Sequence, residues 1–153
     1  MKEFDLIGRY FSNGGYKRKD VIIGIGDDCA VTKVPENQQL AVTTDTLVGG
    51  VHFLSDAPAK SVAYKTVAVN LSDLAAMGAQ PRGLLLSLAL RPSDRVSAVR
   101  ALISTFSKIG DRYGAPLIGG DLSRIDGPMV VSVTAIGQTP VGRYLPRDAG
   151  QPG

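Results

Sequence analysis

The sequence predicts an α/β fold of the α+β kind, a mixed β-sheet with helices packed on one face. Three observations lead there. Strand-length segments rich in β-branched residues follow one another with no helix between them at 21–25, 29–34 and 39–47. Two helix-length segments, 59–77 and about 93–113, each lead into an apolar strand. Adjacent strand pairs mixed with helix crossovers break the strict alternation of a doubly wound parallel sheet. A length of 153 residues suits one domain.

The elements follow in order. Residues 3–12 predict a short helix with Phe4, Ile7 and Phe11 on one face, and 13–20 a glycine-rich basic loop. The strand at 21–25 turns through Gly26-Asp27-Asp28 into the strand at 29–34, closed by Pro35-Glu36-Asn37. Cys29 is read as a core residue of that strand. The helix at 59–77 is rich in Ala, Val and Leu and is stopped by Gly78 and Pro81. It is apolar nearly all round, which predicts burial. Its Thr66, Asn70 and Asp73, at i, i+4 and i+7, share one face.

The nearly continuous apolar run at 83–90 predicts a strand buried on both faces. Ser93 is placed to cap a helix that runs to about Tyr113 and ends at Gly114. A short strand at 115–118 leads into Gly119-Gly120-Asp121, read as a turn, and 129–138 alternates as a strand. Residues 1–140 form the expected domain. The Arg-, Pro- and Gly-rich stretch 141–153 is expected to begin an interdomain linker, with a C-terminal domain absent.

Composition narrows the function. One cysteine and one histidine exclude an internal disulfide, a cysteine-rich zinc site and any site needing two histidines. No apolar run is long enough to cross a bilayer and the N-terminus is no signal peptide, so the expected place is the cytoplasm, without a membrane partner. The net charge of +3 is spread out, with Lys17-Arg18-Lys19 the one tight cluster, which argues against nucleic acid. The motifs of the P-loop and of the hydrolase nucleophile elbow are missing, and Cys29 stands where a dinucleotide fingerprint needs its third glycine.

The acids are 12 Asp and 2 Glu, a bias toward turns and short-armed oxygen ligands for hard cations. Asp27 and Asp28 stand in a glycine turn, suited to one cation or to a plain Asx turn. Thr43-Thr44-Asp45-Thr46 sets three hydroxyls round a carboxylate at a strand end. Asp73 lies in the apolar helix, where a buried carboxylate is costly unless paired or metal-bound. Gly119-Gly120-Asp121 offers free backbone N–H groups to phosphate, or is an ordinary tight turn. Together the four segments suggest several magnesium ions holding a polyphosphate. A phosphate acceptor needs no general base, because its second pKa of about 6 leaves it mostly ionised at neutral pH.

GIGDDCA (24–30), TTDTLVGGVHF (43–53), AYKTVAVNLSDLAAMGAQP (63–81) and LIGGD (117–121) closely resemble the thiamine-monophosphate kinases, of the aminoimidazole ribonucleotide synthetase superfamily. The resemblance spans almost the whole chain. It implies a fold like the N-terminal domain of that synthetase, domains paired through their sheets into a shared barrel, and a homodimer. It implies ATP-dependent phosphorylation of thiamine monophosphate to thiamine diphosphate, with several Mg2+ ions and ATP as co-substrate.

By the resemblance, Asp28, Thr43, Thr44, Asp45, Asp73 and Asp121 hold metal. Gly120, Asp121 and Arg147 meet ATP, and His52 meets thiamine monophosphate. Catalysis needs no group beyond metal and substrate positioning. Family enzymes carry a second domain, so this chain alone is expected to be inactive. The alternatives are another ATP-using enzyme of the superfamily, of the selenophosphate synthetase or hydrogenase-maturation type, and a non-catalytic dimerisation or metal-binding module.

Overall fold

The computed structural model describes residues 18–25 and 29–151. The helix expected at 3–12, the loop up to Lys17 and the turn holding Asp27 and Asp28 lie outside these residues. The described strands are β1 (Val21–Ile23), β2 (Val31–Thr32), β3 (Gln38–Val48), β4 (Gln80–Leu90), β5 (Leu117–Arg124) and β6 (Val130–Pro140). Helix α1 spans Ala59–Ala76 and helix α2 spans Val96–Arg112.

β1 and β2 form an antiparallel ribbon, shorter than the two strands expected there. Cys29 precedes β2 and is exposed, so it is not a core residue. The main sheet has the order β3-β6-β4-β5 and is mixed as expected. β6 is antiparallel to both β3 and β4, while β4 and β5 run parallel with α2 as their crossover. β3 and β6 pair along their whole lengths, from Gln38 opposite Pro140 to Val48 opposite Val130.

Both helices end in the same way. Gly78 (φ +67°) and Gly114 (φ +70°) adopt left-handed backbone, and the amides of Ala79 and Ala115 reach back to the carbonyls of Leu74 and Gly110 at 2.9 and 2.8 Å. Gly78 alone therefore ends α1. Pro81 belongs to β4, next to the register shift between Pro81 and Gly83, where a missing N–H is tolerated.

α1 and α2 cover one face of the sheet. Val62, Ala63, Val67 and Leu74 of α1 and Val99, Leu102, Ile103 and Phe106 of α2 pack there on Leu84, Leu86, Leu88, Val131, Val133 and Ala135. β4 is consequently buried on that face only. Ser87 is exposed and Leu85 and Ala89 are half-buried on the other, so burial on both faces does not hold.

Two local expectations also fail. Ser93 caps nothing: α2 starts after Arg95 without a side-chain cap. The turn before it is instead held by Asp94, whose carboxylate accepts from the Arg91 backbone N–H at 2.8 Å and from its guanidinium at 2.9 and 2.7 Å. Gly119-Gly120-Asp121 is no turn but lies inside β5, opposite Leu85, Leu86 and Ser87. Among the described residues no helix is long and apolar enough to cross a membrane.

Candidate functional site

α1 runs antiparallel to β3, and two exposed contacts join them. Near the C-terminal end of α1, Thr43 Oγ1 donates to Asp73 Oδ2 at 2.8 Å. Toward its N-terminal end, Lys65 Nζ donates to the carbonyl oxygen of His52, just beyond β3. The seam between strand and helix thus carries oxygen donors at one end and an imidazole with an ammonium at the other.

At the oxygen end, strand alternation sends Thr43, Asp45 and the buried Leu47 toward α1. Thr44 and Thr46 point to the opposite, open face. There Thr44 Oγ1 donates to the Val133 carbonyl at 3.0 Å and accepts from Thr134 Oγ1 at 3.2 Å, and Thr46 bonds Ser132 at 2.8 Å. Thr44 therefore does not present its hydroxyl beside Asp45.

Asp73 is exposed, not buried as its helix suggested. Of the three residues sharing that helical face, Thr66 and Asn70 are fully buried, and Asp73 lies beyond them at the rim of the sheet. Thr66 Oγ1 donates to the Val62 carbonyl at 2.6 Å and Asn70 Nδ2 to the Thr66 carbonyl at 2.9 Å. Asn70 Oδ1 is buried and receives no hydrogen bond. A bare acceptor in the interior costs about 1–3 kcal/mol.

This seam fits a hard divalent cation. It offers hydroxyl and carboxylate oxygens already brought together in Thr43 and Asp73, and a second carboxylate on the same strand face in Asp45; the unpartnered Asn70 Oδ1 belongs to a residue three places before Asp73 in α1. Among the described residues no three His, Cys, Asp or Glu side chains gather into a ready metal cluster; Asp28 lies outside them. Asp121 does not join the seam. It is exposed on β5 in register with Ser87, on the open face. Gly120 lies in the strand beside it, and Arg147 is exposed beyond β6.

At the other end, residues 48–53 close on themselves. The amides of Val51 and His52 both reach the Val48 carbonyl at 3.1 and 2.8 Å, Gly50 donates to the Phe53 carbonyl at 2.7 Å, and Gly50 takes φ +79°. The Val48 backbone N–H donates to His52 Nδ1 at 3.0 Å. A nitrogen that accepts carries no proton, so the neutral imidazole bears its proton on Nε2. Lys65 was overlooked in the sequence. The signal available was its place as one of three charged residues, with Lys60 and Asp73, in an otherwise apolar helix.

Residues 26–139 match the AIR synthase related protein, N-terminal domain. The chain is 48% identical to the thiamine-monophosphate kinase of Escherichia coli K12 over 151 residues, 99% of this chain and 46% of that protein. The crystal structure of thiamine-monophosphate kinase from Stenotrophomonas maltophilia K279a superposes with a TM-score of 0.82 at 43% identity, over 100% of this chain and 47% of that one. AaThiL complexed with AMPPCP and TMP gives a TM-score of 0.72 at 31% identity, over 79% and 38%. The chain spans about half the length of the curated relatives it matches. With the domain model matched over most of its length, the chain belongs to the AIR synthase related proteins, whose N-terminal domain it carries.

Proposed function

We propose that this chain is the metal- and nucleotide-binding part of a thiamine-monophosphate kinase acting in the cytoplasm. In the proposed reaction a phosphate oxygen of thiamine monophosphate bonds to the terminal phosphorus of ATP as its bond to the ADP oxygen breaks. No side chain need take a proton, because the acceptor phosphate is already mostly ionised. The observation that carries this reading is the β3–α1 seam, with Thr43, Asp45 and Asp73 at one end and the outward imidazole of His52 at the other. The kinase relatives, and the neighbour complexed with AMPPCP and TMP, support the choice of substrates.

Thr43, Asp45 and Asp73 are the residues to hold magnesium, which when bound supplies charge neutralisation between two polyanions. Asp28 is proposed to complete that set. Thr44 and Asp121, on the open face, are proposed as further metal contacts made apart from the seam, and Gly120, Asp121 and Arg147 as nucleotide contacts. His52 is proposed to meet the substrate phosphate. Residues 1–140 make the domain in this reading, 141–153 lead out of it, and two copies pair through the open face of the sheet.

The test is a chimera joining this chain to the remaining part of the Escherichia coli relative. Product chromatography is expected to show magnesium-dependent formation of thiamine diphosphate and ADP. The chain by itself is expected not to turn over. Asp45→Asn in the chimera, which keeps shape and removes charge, is expected to lower the rate at least about a hundredfold, in the range seen for lost electrostatic stabilisation. A folded chimera that makes no thiamine diphosphate, or an Asp45→Asn protein of ordinary rate at low magnesium, overturns the reading.

A further inference from the structure

We propose that Lys65 is a positioning residue that fixes His52 as a neutral Nε2–H donor toward a phosphate monoester. The proposal rests on the reading of His52 as a substrate contact and adds a residue to it. One bond holds the ring of His52 and another its carbonyl. Its ring is set by the Val48 N–H on Nδ1 at 3.0 Å, and its backbone by the Lys65 ammonium on its carbonyl oxygen.

The backbone bond matters because the His52 N–H already reaches the Val48 carbonyl at 2.8 Å, in a loop that turns back on itself. With both peptide groups of His52 tied, its Cα stays at the position from which Nδ1 reaches the Val48 amide. The Nε2–H then faces outward from an exposed residue. A phosphate monoester accepts hydrogen bonds and offers none when fully ionised, so it needs this tautomer and not the other.

Lys65 adds a second effect. One of its three N–H bonds is spent on the His52 carbonyl, which leaves two donors and a full positive charge at the backbone of the same residue. That charge favours an oxyanion over a neutral ligand near this loop. An arginine at 65 can make the same bond to the carbonyl and keep the charge. A methionine keeps the length and loses both.

His52 is the one histidine of the sequence, so an imidazole nitrogen spectrum of the 15N-labelled chain reports on it alone. The chain is titrated with thiamine monophosphate while the tautomer is followed by long-range nitrogen–proton correlation. The wild type is expected to show the Nε2–H form and a shift of Nε2 on titration. Lys65→Met is expected to mix the tautomers and weaken binding at least tenfold, and Lys65→Arg to restore both.

A pure Nε2–H spectrum with unchanged affinity in Lys65→Met overturns the proposal, and so does a loss of melting temperature in that variant with the tautomer intact. His52→Ala separates the two levels. If it binds thiamine monophosphate as the wild type does, or if the wild type does not bind at all, the substrate reading of His52 falls and the proposal with it. If His52→Ala loses binding while Lys65→Met keeps it, the role of Lys65 alone falls.

Discussion

Gly120 has no room for a side chain. A Cβ there would strike the carbonyl oxygen of Leu86 in the neighbouring strand, and its φ of +153° is one that other residues rarely adopt. Gly120→Ala is therefore expected to cost about 3 kcal/mol or more, from the backbone region and the collision together. For a chain of this size that is a fall of roughly 6–12 °C in melting temperature by calorimetry. An unchanged melt would mean that β5 does not lie so close to β4. The glycine pair was legible as a place needing backbone freedom. Its neighbour's carbonyl was not, because it arrives from 34 residues earlier in the chain, at the Leu86 to Gly120 pairing. Asp73 teaches a similar lesson. Helical spacing put it on one face with Thr66 and Asn70, but spacing cannot say where the sheet beneath that face ends. Since Asp73 meets solvent, Asp73→Ala is expected to leave the metal-free melt within about 2 °C of wild type, the range of an ordinary surface change. A larger fall would make Asp73 a structural residue.

Elements were read best where one local pattern decided them. α1, β3 and the end of α2 lie within a residue or two of expectation, because apolar runs with β-branched residues or a terminal glycine fix them locally. The start of α2 was missed because Arg91 and Asp94 form the turn that Ser93 was expected to make. The residues just before β1 make a contact the sequence does not advertise. Arg18 reaches the Gly114 carbonyl at the end of α2 at 2.8 Å and grips both oxygens of Asp20 at 2.7 Å. The guanidinium holds the Asp20 carboxyl below its ordinary value of 3.8. A lowered native pKa means that this grip contributes fully above 3.8 and is lost as pH falls below it. An NMR titration of the side-chain carboxyls is expected to give Asp20 a midpoint below 3.8, and Arg18→Met is expected to move it upward. A midpoint indifferent to Arg18 would show that the pair is not formed in solution.

At the scale of the molecule, the mixture of parallel and antiparallel strands was legible, whereas the order β3-β6-β4-β5 was not, because it depends on which strands close over α1 and α2. Among the described residues, no helix covers the other face of the sheet. Leu40 and Val42 stand out on it, 49% and 61% exposed. Beside them, Thr44 bonds Thr134 and Thr46 bonds Ser132, so these four hydroxyls keep a partner when the β3–β6 part of the face is covered. A second copy presenting the same face would bury the two apolar side chains of each partner. The chain is accordingly expected to have a dimer's mass by light scattering at micromolar concentration. The double variant Leu40→Lys, Val42→Asp is expected to be a folded monomer. Each change places a charge where pairing would desolvate it, and neither touches the helix-covered core. A wild-type monomer at that concentration would end the proposal of pairing. A double variant that remains dimeric would place the interface on another surface.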